Sequence, residues 1–166
     1  IPHGYGKYIY SDGENKYYLG SLKNGKKDGE GFFRCNEYSC SGQWKNDMMH
    51  GKGIIIYASK ETFSGIFNKD KYVTGKFMTE EGDLYEGGFK NFQYHGKGKY
   101  VVNNKSFEFQ GSFKNGMING KGKLIKKESI YIGNFKDNKR HGFGVDTDRK
   151  GKSFYKGQWK EDKMSG

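Results

Sequence analysis

A histidine set among glycines and lysines at residues 95–99 has the residue types of a phosphate-binding or acid–base loop. His95 is followed by Gly-Lys-Gly-Lys. An imidazole titrates near neutral pH, and glycine amides beside a lysine can cradle a phosphate. A P-loop, however, requires Gly-x-x-x-x-Gly-Lys followed by Ser or Thr. The Gly-Lys-Ser at residues 151–153 has Asp146 in place of the first glycine, which excludes a P-loop.

All four histidines stand just before a Gly-x-Gly pair, so they occupy one recurring position: His3, His50, His95 and His141. Other copies of this position hold Asp28, Thr74, Asn119 and Ser165. These side chains can all hydrogen-bond a local turn backbone. Equivalent histidines two copies apart would lie about 19 Å apart across four strands. We therefore predict turn caps, and a chain that is not an enzyme and needs no metal or cofactor.

Cys35 and Cys40 are separated by four intervening residues across a predicted turn. They are open to two interpretations. They are either two structural thiols or a facing pair that forms a disulfide or half of a zinc site. Zinc normally takes four ligands, so a zinc site would need a second cysteine pair across a dimer. We favour structural thiols and predict no metal.

An aromatic-x-Gly-x-aromatic motif recurs along the whole chain. Its central glycines fall at residues 20, 42, 65, 87, 111, 133 and 157, which gives steps of 22 to 24 residues. Five of the seven motifs are followed by an x-Gly-x-Gly anchor. The sequence therefore predicts a single repeat array over residues 1–166. It comprises a half-repeat at 1–17 and repeats that start near residues 18, 40, 63, 85, 109, 131 and 155.

Each repeat has the pattern of a β-hairpin. The chain contains 27 glycines and one proline, and that many glycines would destabilise helices. Alternate aromatics share one strand face, and Asn-Gly pairs at residues 24–25 and 115–116 are hairpin turn signals. We predict an all-β, elongated, twisted antiparallel meander of stacked hairpins, with inter-repeat turns at residues 11–13 and 81–83.

Two details of the repeat lead to more specific expectations. A glycine between two aromatics leaves a slot, which we expect the ring of a neighbouring strand to fill. In the third copy, the segment from the central glycine, Gly65, to the first anchor glycine, Gly75, is one residue longer than in the other copies. Phe77 replaces the second anchor glycine. We therefore predict a bulge or bend between Asp70 and Met78.

The aromatic residues form a stripe on one strand face. A single sheet cannot bury a whole face, so we predict that these rings make the core and in part a groove for a protein partner, either an amphipathic helix or an extended peptide. The predicted groove residues are Tyr18, Trp44, Phe63, Phe67, Tyr85, Phe89, Phe109, Phe113, Tyr131, Phe135, Tyr155 and Trp159.

A lysine stripe follows the aromatic stripe by one residue and projects on the opposite face. Its members are Lys23, Lys45, Lys90, Lys114, Lys136 and Lys160. They are either a solvated face that keeps strand edges from aggregating or an anionic-surface site for acidic lipid or acidic protein, where each charge near an anionic membrane adds about 1 kcal/mol.

The formal net charge of +11 agrees with an anionic partner, although an AT-rich genome also favours lysine. Only Arg34, Arg140 and Arg149 are arginines, and arginine dominates base recognition. We therefore predict no nucleic-acid binding. The longest apolar run, residues 54–58, is too short for a membrane helix.

The spacing resembles that of the MORN-repeat family, whose pattern is close to Tyr-x-Gly-x-Trp-x-x-Gly-x-x-His-Gly-x-Gly. The resemblance spans the chain and is closest at residues 42–53 and 85–98. It implies a scaffold or adaptor in a cytoskeletal, ciliary or membrane-cortex assembly, located in the cytoplasm at the cytoskeleton or inner membrane face. The alternative is a phospholipid-binding module that positions an enzyme domain, such as a lipid kinase or methyltransferase.

Two further expectations concern assembly. A meander leaves open strand edges, so we expect a homodimer through terminal repeats. Ile1 is not a natural start residue, so we expect a segment of a longer protein.

Overall fold

The computed structural model describes residues 1–12 and 15–166. Within them the chain forms fifteen strands and no helix, which confirms the all-β class. The described residues hold no helix with the length and apolar character needed to cross a bilayer. The predicted turn at residues 11–13 includes Gly13, which lies outside the described residues.

The chain divides into two compact units, Ile1–Glu80 and Glu81–Gly166. Strands of the first unit are β1 (Gly4–Ile9), β2 (Tyr17–Lys23), β3 (Lys26–Arg34), β4 (Tyr38–Lys45), β5 (Met48–Tyr57), β6 (Thr62–Asn68) and β7 (Lys71–Met78). Strands of the second are β8 (Leu84–Lys90), β9 (Gln93–Val101), β10 (Phe107–Lys114), β11 (Met117–Lys126), β12 (Ser129–Lys136), β13 (Lys139–Asp148), β14 (Ser153–Lys160) and β15 (Lys163–Met164).

Within each unit every strand pairs antiparallel with the next one along the chain. Each unit is therefore an antiparallel meander, as predicted. That the repeats make one uninterrupted array stays a prediction.

The hairpins close through two-residue turns in which both residues have positive φ. In the turn after β8, Asn91 has φ 50° and Phe92 has φ 60°. Positive φ at both positions defines a type I′ turn, whose twist matches that of the flanking strands. Asn24-Gly25 and Asn115-Gly116 occupy two of these turns, which confirms the signals read from the sequence.

The x-Gly-x-Gly anchor marks a bulge in the second strand of each regular hairpin. Gly87 pairs with Gly98, but Phe89 pairs with Tyr94. Three residues of β9, 95–97, therefore lie opposite a single residue of β8, so β9 contains two extra residues at this point. Gly96 has φ +78° there, a conformation that residues with a Cβ rarely adopt. The first anchor glycine therefore adopts the positive-φ backbone conformation that this bulge requires.

The third copy has a smaller bulge, and the sequence prediction of an extra residue was wrong. In β6–β7, Gly65 pairs with Gly75 and Phe67 pairs with Tyr72. This pairing makes Gly75 the second anchor glycine, so the hairpin has one residue fewer than its relatives. Thr74 is accordingly not at the histidine position, and Phe77 corresponds to Tyr100 because each pairs with the first ring of its repeat.

A row of directly paired glycines crosses the strands of each unit. In the second unit it consists of Gly87, Gly98, Gly111, Gly122, Gly133, Gly144 and Gly157. A Cβ on Gly98 would lie 2.5 Å from the Tyr85 hydroxyl oxygen, because the Tyr85 ring lies over the row. Tyr85 also covers Gly87 of its own strand. In the second unit the glycine between two aromatics is therefore covered by the first ring of its own strand, not by a ring of a neighbouring strand as predicted.

Candidate binding groove

One face of the sheet in the second unit carries the rings that lie over the glycine row. We call it the aromatic face. Tyr85 packs edge to face against Phe89 with ring centroids 5.1 Å apart, and against Phe113 of the next repeat at 5.1 Å. Phe109 makes the same two contacts with Phe113 and Phe135. Each repeat therefore packs its second ring against the first ring of the repeat before it.

Ten of the twelve predicted groove residues are buried, four in the first unit and six in the second. Their exposed fractions run from 0% to 6%, and they are Tyr18, Trp44, Phe63, Phe67, Tyr85, Phe109, Phe113, Tyr131, Phe135 and Trp159. Phe89 and Tyr155 are half-buried. In this structure the ten rings offer almost no surface to a partner. Their role in partner binding stays a prediction, while their packing stabilises the sheet.

The tyrosine hydroxyls of this face donate hydrogen bonds to backbone carbonyls three residues later. Tyr85 donates to the Gly88 oxygen at 2.9 Å, and Tyr131 donates to the Asn134 oxygen at 3.0 Å. Burial raises the pKa of Tyr85 to about 12. The hydroxyl is therefore protonated at neutral pH and serves as a structural donor to the strand that carries it.

Cations cover two tryptophans of the repeats. The Lys27 ammonium lies 4.3 Å from the centre of the Trp44 ring, and the Arg140 guanidinium lies 3.9 Å from that of Trp159. Both are cation–π contacts, for which tryptophan is the best partner. Burial lowers the pKa of Lys27, and the charge of Asp47 opposes this. These two basic residues are therefore part of the packing.

Aspartate or asparagine at the second turn position links a hairpin to the one before it. Asp70 accepts a hydrogen bond from the Met49 amide at 2.7 Å, and its own amide donates to the Met49 carbonyl at 3.0 Å. Asn138 makes the same pair of bonds with Ile118. The sequence analysis missed these links, although Asp or Asn at four of the seven second turn positions (Asp47, Asp70, Asn138 and Asp162) was an available signal.

Turn capping by the four histidines stays a prediction. His95 is half-buried in its bulge, and its Nδ1 atom is buried without a hydrogen-bond partner. The described residues contain no group of three or more His, Cys, Asp or Glu side chains able to hold a metal ion.

Both cysteines are free thiols in the structure. Cys40 is buried in the second repeat, where it replaces the first aromatic residue, and burial raises its pKa to about 12. Cys35 donates to the Tyr38 carbonyl at 3.5 Å. A protonated, buried thiol such as Cys40 is a poor nucleophile and a poor metal ligand.

The opposite face of the second unit carries an open groove of about 1040 Å³. Its floor is the backbone of the glycine row at Gly98, Gly111, Gly122 and Gly133. Its walls are the side chains on either side of that row: Glu86, Lys97, Lys99, Gln110, Lys121, Ile132, Asn134, Phe143 and Val145. We refer to these residues together as the open groove.

The open groove has a basic part and an apolar part. Lys97, Lys99 and Lys121 lie on β9 and β11 and are all exposed. On β12 and β13, Ile132 is 56% exposed and Phe143 is 47% exposed. The sequence analysis did not assign these residues to a partner-binding site, because they occupy variable positions of the repeat. The signal was available in strand alternation, which places them opposite the aromatic rings.

The six predicted anionic-surface lysines are exposed and directly precede the hairpin turns: Lys23, Lys45, Lys90, Lys114, Lys136 and Lys160. They are available to solvent in both units. Their contact with an anionic surface stays a prediction.

Comparison with known proteins identifies the repeat. The MORN repeat model matches residues 1–14, 18–39, 40–62, 85–106, 109–127, 131–151 and 155–166. The irregular third copy lies between these matches. The chain is also 28% identical over 169 residues to Alsin from Rattus norvegicus, Mus musculus and Homo sapiens. The match covers 98% of this chain but only 9% of the length of those relatives. Both findings indicate a repeat-based binding module.

Proposed function

Because the chain belongs to the MORN-repeat family, we propose that it is a non-catalytic adaptor that holds a segment of a protein partner in the open groove. The observation that carries this proposal is the difference between the two faces of the second unit. The rings of the aromatic face pack against each other, whereas Ile132 and Phe143 stay exposed beside an open channel. Exposed apolar side chains grouped along a groove are typical of interaction sites.

The non-catalytic part of the proposal is supported by the placement of the titratable groups. The histidines belong to separate repeats, and the Tyr85 hydroxyl and Cys40 thiol have pKa values raised by burial. The Tyr85 hydroxyl and the Cys40 thiol are therefore protonated at neutral pH and serve poorly as bases or nucleophiles. We place the adaptor in the cytoplasm, in an assembly at the cytoskeleton, a cilium or the inner membrane face.

A selection from a random peptide library displayed on phage tests this function, with the purified chain as bait. Individual peptides are then measured by fluorescence polarisation against Phe143→Asp and Ile132→Asp. Phe154→Asp is the matched control, because Phe154 is 60% exposed and does not line the groove.

We expect both groove variants to weaken the selected peptides at least about tenfold, since a buried charge without a partner is costly. The control should bind like the wild type. Peptides that bind all three variants equally well would contradict the function.

A second candidate function is binding to an anionic membrane, and the exposure of the six lysines at the hairpin ends favours it. Vesicles of phosphatidylcholine with one quarter phosphatidylserine provide the test. Under this alternative, Lys114→Glu with Lys136→Glu abolishes sedimentation with the vesicles, and Phe143→Asp does not. Equal sedimentation with pure phosphatidylcholine would remove this candidate.

A further inference from the structure

The distribution of charge in the open groove points to one class of occupant. We propose that the groove selects an extended protein segment whose acidic side chains lie over β9–β11 and whose apolar side chains lie over β12–β13. This inference rests on the proposed function and specifies its partner.

The basic part of the groove carries more positive than negative charge. Lys97 donates a hydrogen bond to the Ser112 hydroxyl at 2.9 Å. Because serine is neutral, this contact does not balance the charge of Lys97. Lys99 pairs with Glu108 at 2.9 Å. Lys121 and the neighbouring Lys123 form no ion pair with a carboxylate among the described residues. An occupant that brings carboxylates here would therefore meet lysines with free donors.

The apolar part lies on the two strands that follow. Ile132 and Phe143 are about half exposed, and Val145 beside them is half-buried. Lys121 on β11 and Phe143 on β13 are two strands apart, which corresponds to about 9.6 Å. An extended chain covers that distance in about three residues. Lys97 on β9 is four strands from Phe143, about 19 Å or about six extended residues. The acidic and apolar side chains of the occupant should therefore be separated by about three to six residues.

The dimensions of the groove favour an extended segment over a helix. Its walls are formed by residues that are two apart along each strand, such as Lys97 and Lys99 or Phe143 and Val145. Two residues of a strand span about 6.8 Å. A helix with its side chains is about 10–12 Å wide, so it would rest on the walls without reaching the glycine floor. An extended backbone fits between them.

The test uses synthetic fluorescent peptides with three acidic residues, a three-residue spacer, a leucine and a phenylalanine. A second peptide replaces the acidic residues with their amides, and a third keeps the composition but is stapled as a helix. Binding is measured to the wild type and to Lys97→Glu with Lys121→Glu. The control is Lys90→Glu with Lys114→Glu, which has the same net charge and changes lysines outside the groove.

We expect the extended acidic peptide to bind best and the groove charge reversal to weaken it about tenfold or more, with less than about a twofold change in the control. Equal weakening in both charge-reversal proteins, equal binding of the amide peptide, or tighter binding of the stapled helix would each overturn the inference. If peptides bind in a Phe143-dependent manner without an acidic preference, only the inference fails. If no peptide depends on Phe143, the proposed function fails as well.

Discussion

Neighbouring residues of one strand show how differently the two faces of the second unit are built. On β12, Tyr131 is 2% exposed on the aromatic face, whereas Ile132 is 56% exposed in the open groove. Both are large hydrophobic residues, and they point to opposite sides of the sheet. Tyr131 lies over Gly133 and Gly144 and against the Phe135 ring. Ile132 lines the open groove.

This comparison explains how a sheet with no second layer can hold together and still keep a free surface. The glycine row lets rings lie flat on the backbone, and edge-to-face contacts about 5 Å long join each ring to the next. One face thereby becomes its own core. The other face is then free to carry residues chosen for a partner.

The largest expected effect comes from removing a ring of the aromatic face. Phe109→Ala should lower the free energy of unfolding of the second unit by about 3–5 kcal/mol, because Phe109 is fully buried and contacts Phe113 and Phe135. Phe143→Ala in the groove should cost no more than about 1 kcal/mol. Urea unfolding followed by Trp159 fluorescence in a Trp44→Phe background measures both. Equal losses for the two variants would contradict the division of roles between the faces.

A smaller effect is expected from adding one methyl group under a ring. Gly98→Ala should destabilise the second unit by about 1–3 kcal/mol, because the new Cβ would lie 2.5 Å from the Tyr85 hydroxyl oxygen and 2.6 Å from its ring. Lys97→Ala is the adjacent control on the groove face and should stay within about 0.5 kcal/mol of the wild type. The same unfolding assay applies. A neutral Gly98→Ala would show that the ring does not need the glycine floor.

The smallest effect concerns the tyrosine hydroxyl. Tyr85→Phe removes the hydrogen bond to the Gly88 carbonyl, so we expect a loss of about 1 kcal/mol at pH 7. Burial raises the pKa of Tyr85 to about 12, above its value of about 10 in the unfolded chain. The resulting stability is fully present below pH 10 and is lost as the pH rises through 12, because the unfolded state releases its proton first.

A titration of unfolding from pH 8 to 12 checks this dependence. The variant should lose less stability over this range than the wild type. Some loss remains, since burial also raises the pKa values of Tyr100 and Tyr131 in the same unit. An identical slope for both proteins would show that the Tyr85 hydroxyl is not buried in the folded state.

The sequence predicted the hairpin repeat and its turns because these depend on local spacing. The alternation of Tyr85, Gly87 and Phe89 assigned them to one face, and Asn-Gly pairs located the turns. The source of the ring in each slot and the register of the third copy depend on cross-strand pairing. That pairing cannot be deduced from the sequence, because Gly75 can be aligned with either the first or the second anchor glycine of the other copies.

The open groove was missed for a different reason. Its residues vary from repeat to repeat, so a motif search that aligns the copies discards them. Whether the aromatic stripe or the opposite face stays open depends on how rings pack between repeats, for example Phe113 against Tyr85. Spacing alone does not determine this packing.

Methyl NMR gives the most direct test of the claim that one face stabilises and the other binds. Ile132 and Val145 report on the open groove, and Ile118 and Leu124 report on the core of the aromatic face. On addition of the acidic–apolar peptide, the account predicts large shifts for the Ile132 and Val145 methyl groups and little change for Ile118 and Leu124. Shifts confined to Ile118 and Leu124, with Ile132 and Val145 unmoved, would place the partner on the aromatic face and contradict the account.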